Sequence, residues 1–194
     1  IYPEETKGMR DFVEGRLGSP VRYLINTHYH SDHTLGNCWF PNATILSTKL
    51  CRELLDTRGR KALEISKEQN KELRDIKIVL PNIVFEEGSI SIRVGKQTLT
   101  TIMLPGHSAD GIGVLIEEDR VLFAGDAMMA VPTILDGDIE QLEESLKRIP
   151  ALKPENVIQG HGDVILRGEV GRVVDDYVRY LSYIRRHAKK ALRR

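Results

Sequence analysis

The residues best suited to chemistry begin at His28. Only six histidines occur in 194 residues, and three of them, His28, His30 and His33, fall within six positions beside Asp32. If His28-Tyr29-His30 is extended, alternate side chains point to one side, so both imidazoles can reach one ion while Tyr29 faces away. Asp32 and His33 follow where the chain is expected to turn, and they can face a second ion nearby. Imidazole suits ions such as Zn or Fe, with Mn also accessible, and a carboxylate adds the charge that holds a second metal. A sequence this poor in histidine seldom clusters them by accident, which disfavours a merely polar loop.

Three further candidates share one grammar. Thr101-Ile102-Met103-Leu104 leads through Pro105-Gly106 to His107, Val121-Leu122-Phe123-Ala124 through Gly125 to Asp126, and Val157-Ile158-Gln159 through Gly160 to His161. Each is a buried strand, a small residue and then one metal-competent side chain. Glycine there lets the backbone approach an ion or substrate closely. Any one of the three alone reads as a turn residue. Added to the cluster, they predict a two-metal site of His28, His30, Asp32, His33, His107, Asp126 and His161.

The elements that must position these groups are legible in outline. A helix is expected over Glu4 to Leu17, ended by Gly18 and Pro20. A short strand over Val21 to Asn26 runs straight into the histidine cluster, and Ala43 to Leu46 reads as another. A polar helical stretch is expected from Thr48 to about Asp75. Past Ile83 the hydrophobic period becomes two, with Ile90, Ile92 and Val94 alternating as a half-buried strand requires. Strands are predicted over Gln97–Leu104, Gly113–Ile116 and Arg120–Ala124, the last two joined by the acidic turn Glu117-Glu118-Asp119. Asp138 and Gln141 resemble a capping box for a helix carrying Leu142, Leu146 and Ile149. After a short strand over Asn156–Gln159, an amphipathic helix from about Glu169 carries Val170, Val173, Val174, Tyr177, Leu181 and Ile184 on one stripe. Helices packed on sheets, an α+β class, follow from this order.

Bulk properties narrow the partners. Lys+Arg and Asp+Glu both number 28, so there is no net field to attract nucleic acid or an acidic membrane. No apolar run approaches the roughly 18 residues of a membrane span. The basic tail around His187 reads as a solvated helix end, where cations suit the helix dipole. Only Cys38 and Cys51 are present, which favours a reducing compartment, the cytoplasm, over a disulfide scaffold. A small-molecule substrate is the expected partner. Trp39 and Phe40 could line its pocket or pack in the core.

The chain resembles the metallo-β-lactamase fold superfamily, whose mark is a His-x-His-x-Asp-His loop followed by a His, an Asp and a His at later strand ends. The resemblance covers nearly all of the chain from Val21 onward, and Asn37-Cys38-Trp39-Phe40-Pro41 and Leu104 to Gly111 add to it. Because Asp126 and His33 are both kept, the sequence is most similar to the glyoxalase II-like and lactamase-like hydrolase branches. The resemblance implies a four-layer αββα sandwich with the site at one edge of the facing sheets. It implies that His28, His30 and His107 hold one ion, Asp32, His33 and His161 the other, and that Asp126 bridges them. Two divalent ions, Zn foremost with Fe or Mn as alternatives, would hold a shared hydroxide roughly 3.5–4 Å apart and lower its pKa toward about 7. Asp32 would act as the catalytic group that orients the hydroxide or shuttles its proton. The implied reaction is hydrolysis of an ester, thioester, lactone or amide. A mononuclear-iron persulfide dioxygenase and a phosphodiesterase or nuclease are the alternatives within the superfamily. Its members carry strands ahead of the first helix, so the single domain expected over residues 1–194 is incomplete at the N-terminus.

Overall fold

Parallel strands cannot be joined by tight turns, so each pair needs a crossover segment; in this chain those crossovers carry most of the helices and much of the chemistry. The computed structural model describes residues 3–192, and the chain divides into two compact units, Ile1–Glu86 and Glu87–Arg194.

In the first unit the expected N-terminal helix is α1 (Pro3–Arg10), continued by a π-helical turn over Asp11–Arg16. Three strands, β1 (Tyr23–Ile25), β2 (Thr44–Thr48) and β3 (Ile83–Phe85), form a parallel sheet in that order. The β1–β2 crossover contains the histidine cluster, the one-turn helix α2 (Ser31–Thr34) and a 3₁₀ segment over Leu35–Trp39. The β2–β3 crossover contains α3 (Lys49–Leu54), a π-helical turn over Leu55–Gly59 and α4 (Arg60–Gln69). The polar helix expected to reach Asp75 therefore stops at Gln69. Thr48 starts it, its hydroxyl accepting from Cys51 N at 3.0 Å, which satisfies one of the N–H groups a helix start leaves without a partner. Ile45, Leu46, Cys51, Leu55, Leu63 and Ile76 are buried within this unit.

The second unit is a five-stranded sheet in the order β4 (Ser91–Val94), β5 (Gln97–Met103), β6 (Ile112–Ile116), β7 (Val121–Met129) and β8 (Asn156–His161). The first four run antiparallel and β8 joins β7 in parallel. The crossover between those two is α5 (Ile139–Arg148) with a 3₁₀ turn over Ile149–Leu152, and α6 (Val170–Ala191) follows β8. The core joins Leu104, Leu115, Leu122 and Val157 of the sheet side to Leu142, Leu146 and Ile149 and to Val170, Val174 and Leu181 of α6. The α6 stripe is thus where its spacing puts it, although Ile184 at its far end is exposed.

Asp138 caps α5 as expected, its carboxylate accepting from Glu140 N at 2.8 Å and Gln141 N at 2.9 Å. The reciprocal half of a capping box is replaced. Asp138 N donates to Gly106 O at 2.9 Å, tying the helix start to the segment that carries His107. β7 and β8 both run further than their apolar residues suggest, to Met129 and His161. The mixture of helices and sheets is the α+β class expected. Among the described residues no helix is long and apolar enough to cross a membrane.

Candidate metal centre

Each unit contributes its own set of ligand candidates. In the first unit, residues 27–29 bend rather than extend, and His30 leads directly into α2. The alternation argument for His28 and His30 therefore does not apply as written, yet the bend brings their rings together. Their centroids lie 4.6 Å apart in an edge-to-face pose, and the His33 ring is 4.2 Å from that of His28. Asp32 Oδ2 is 3.2 Å from His33 Nε2. Tyr29 is not directed away, because its ring packs 4.7 Å from that of His30.

Local hydrogen bonds hold this bend. Thr34 Oγ1 donates to His30 O at 3.0 Å, and His33 N donates to the same carbonyl at 3.1 Å. Thr27 Oγ1 sits 3.1 Å from His28 Nδ1 and orients the ring. Beneath the loop lies a buried amide pair. Asn26 Nδ2 donates to Asn37 Oδ1 at 3.0 Å, Asn37 Nδ2 returns the bond at 2.9 Å, and Asn26 also reaches His33 O at 3.3 Å. Buried polar groups are costly unless paired. This reciprocal pair thus fixes both ends of the ligand loop. Neither asparagine stood out in sequence as a supporting residue; an Asn directly before the Thr-His motif is the one available signal.

In the second unit, Asp126 lies inside β7 rather than beyond its end. The ladder with β8 slips twice around it, between Phe123 and Gly125 and again between Gly125 and Met129, with Gly125 at φ 51. Such bulges re-aim a side chain, and here the Asp126 carboxylate becomes a focus. His107 Nε2 is 3.3 Å and His161 Nε2 3.5 Å from its Oδ2. His107 Nδ1 lies 2.7 Å from the carbonyl of Thr133. A carbonyl only accepts, so Nδ1 is the donor in this contact and Nε2 is the atom turned to Asp126. An imidazole nitrogen and a carboxylate oxygen 3.3 Å apart are both atom types that coordinate a divalent cation. Thr133 is the partner that selects the tautomer, a role no motif marks. Gly160 completes the cradle: a Cβ there would stand 1.9 Å from Asp126 Oδ1. The donor set of three nitrogens and a carboxylate in one unit, and two nitrogens and a carboxylate in the other, fits divalent metal.

The remaining candidates are accounted for more simply. Trp39 and Phe40 are half-buried and line a cavity of about 240 Å³ with Arg10, Glu14 and Val21, and none of the ligand candidates lines it. Lys7 Nζ sits 4.5 Å above the Trp39 ring. His187 is exposed near the end of α6, stacked 3.9 Å from Tyr183, as a solvated helix end would be.

These observations define the class first: an α+β protein with clustered histidine and aspartate donors set at the ends and bulges of its strands. The chain belongs to the metallo-beta-lactamase superfamily, whose family profile matches residues 3–161. It is 27% identical over 181 residues to a beta-lactamase-like protein 2 homolog of Caenorhabditis elegans, covering 93% of this chain and 55% of that protein. It is 30% identical over 140 residues to a hydroxyacylglutathione hydrolase of Hyphomonas neptunium, covering 71% of this chain and 46% of the other. The chain thus spans about half the length of these relatives. Its fold is similar to that of a metallo-beta-lactamase from Hirschia baltica, with a TM-score of 0.68 at 21% identity over 91% of this chain and 76% of that one.

Proposed function

We propose that this chain is a metal-dependent hydrolase acting on a thioester or related acyl substrate, with His28, His30, Asp32, His33, His107, Asp126 and His161 holding two divalent ions, zinc foremost. The observation that carries the reading is the convergence of His107 and His161 Nε2 on one carboxylate oxygen of Asp126, with the His107 tautomer set by Thr133. Family membership supports it, and a relative named as a hydroxyacylglutathione hydrolase points to a thioester. The profile match runs across the boundary between the two units, which supports treating 1–194 as one domain. Two cysteines fit a reducing compartment such as the cytoplasm.

When bound, a pair of divalent ions supplies a water of lowered pKa and the positive charge that polarises a carbonyl. The chain's own residues do the rest. Asp126 offers the negative charge on which two imidazoles are aligned, and Gly160 leaves room for it. Thr133 O accepts from His107 Nδ1, so that Nε2 is the atom turned toward an ion. Asp32, half-exposed beside His33, is the group placed to accept and pass on a proton. The buried Asn26–Asn37 pair keeps that loop from relaxing.

Metal quantitation combined with thioester, lactone, phosphodiester and β-lactam substrates tests the proposal. Two zinc ions per chain and thioester turnover are expected, and His28→Ala or Asp126→Ala should abolish both the activity and at least one ion. A single iron with oxygen consumption on a persulfide would replace this reading with the dioxygenase. Exclusive phosphodiester cleavage would replace it with the nuclease.

A further inference from the structure

His161 is the ligand candidate with the least packing around it. Its side chain is 51% exposed, against 4% for His107 and 5% for Asp126. Burial cannot hold such a ring, so its position depends on the backbone beneath it. On one side Ala130 N donates to His161 O at 2.7 Å. On the other the chain must reverse at once, because Ile165 returns to Val157 and the two exchange N–H···O bonds at 2.9 Å. The reversal passes through Gly162 at φ 134, a conformation L side chains rarely adopt.

One side chain closes that reversal. Gln159 Nε2 donates to Asp163 O at 2.7 Å, bridging the strand before His161 to the turn after it. The other end of the same amide is taken up by α6, where the Tyr177 hydroxyl donates to Gln159 Oε1 at 2.5 Å. With the oxygen occupied by Tyr177 and the NH₂ by a carbonyl, the amide has one satisfied orientation, and turning it over would set two oxygens against each other. Burial raises the Tyr177 phenol above its ordinary range, so it remains a hydroxyl donor throughout neutral pH. Both contacts lie outside the set of ligand candidates, and neither is needed for the Tyr177 ring to pack against the core.

We propose that Tyr177 and Gln159 are positioning residues for His161, a relay from α6 through the Gln159 amide to Asp163 O that holds the exposed imidazole toward Asp126. The relay acts on the backbone turn after His161, so it acts on how tightly the ion at His161 is held. The inference rests on the reading of His161 as a metal ligand, and its test keeps the two apart.

The experiment is zinc binding to the full chain in competition with a chromogenic chelator, for the unsubstituted protein, Tyr177→Phe, Gln159→Leu and the double variant, alongside thermal melts of the metal-free forms. Outer-shell partners of a ligating histidine typically change metal affinity by 10- to 100-fold, and a partner one bond further out belongs at the low end. Tyr177→Phe should weaken the weaker of two zinc ions about tenfold, leave the tighter one unchanged and shift the metal-free melt by no more than about 4 °C. Because the hydroxyl acts through the amide, the double variant should bind no more weakly than Gln159→Leu alone. Gln159→Glu conserves volume and keeps the Tyr177 acceptor but puts an oxygen against Asp163 O. It should reproduce the loss even if Tyr177→Phe folds poorly. Two zinc ions bound with unchanged affinities in Tyr177→Phe or in Gln159→Glu would overturn the relay alone. Fewer than two ions on the unsubstituted chain would overturn the ligand reading of His161 and the relay with it.

Discussion

Gly160→Ala is the smallest perturbation that strikes the proposed centre directly. The added methyl carbon would stand 1.9 Å from Asp126 Oδ1, 2.9 Å from the carbonyl carbon of Gly125 and 3.0 Å from Asp126 Cγ. The first contact falls about 1.5 Å inside ordinary van der Waals separation, so something must move by that order. β8 cannot retreat easily, since it is paired with β7 and buries Val157 against the core. The carboxylate is the softer partner, and a shift of about 1 Å or more exceeds several-fold the roughly 0.2 Å tolerance of metal–ligand distances. Overpacking itself costs about 1–3 kcal/mol. The expected result is a folded protein, destabilised by that amount in urea, which loses an ion and its hydrolytic activity. Zinc stoichiometry by mass spectrometry together with denaturant melts reads both. An alanine variant that keeps two ions at unchanged affinity would show that Asp126 is not held where His107 and His161 meet.

Three further outcomes follow from the same structure. Asp138→Ala removes an acceptor used by two helix-start N–H groups and should cost α5 about 1 kcal/mol, with Asn restoring most of it; unchanged denaturation midpoints would show that the cap is idle. Leu146→Ala, at a fully buried position between α5 and the sheet, should cost about 2–5 kcal/mol in urea melts without altering metal stoichiometry. The raised pKa of Tyr177 means that the folded state holds its proton more tightly than the unfolded chain, whose phenol titrates near about 10. The associated stability is fully present below that pH and is lost as pH rises through the folded value. Melts followed from about pH 9 upward, through the ordinary phenol range near 10, should fall less steeply for Tyr177→Phe than for the unsubstituted chain. Parallel curves would count against a buried, protonated phenol.

Where sequence and structure part company, the cause is consistent. The helix over Pro3–Arg10, the cap at Asp138 and the apolar stripe of α6 are local patterns, and each is found where its spacing puts it. β7 is different: Gly125-Asp126 interrupts its apolar run and reads as a strand end, yet pairing with β8 carries the strand on to Met129. Strand length there is decided by a partner some thirty residues away, and local propensity is a weak guide to such pairing. The bent ligand loop is a similar case. Alternation suggested an extended His28-Tyr29-His30, whereas Thr34 and the Asn26–Asn37 pair stabilise a turn. The candidate ligands were legible because metal chemistry demands particular side-chain types, and those are written in the sequence whatever the backbone does. The hydrogen-bond partners around these candidates, Thr133 for His107, Asn26 with Asn37 for the first cluster, and Tyr177 with Gln159 for the turn after His161, became visible only in three dimensions. A hydrogen bond between groups separated by eleven to twenty-six residues has no spacing of its own; tertiary packing alone brings its two ends together.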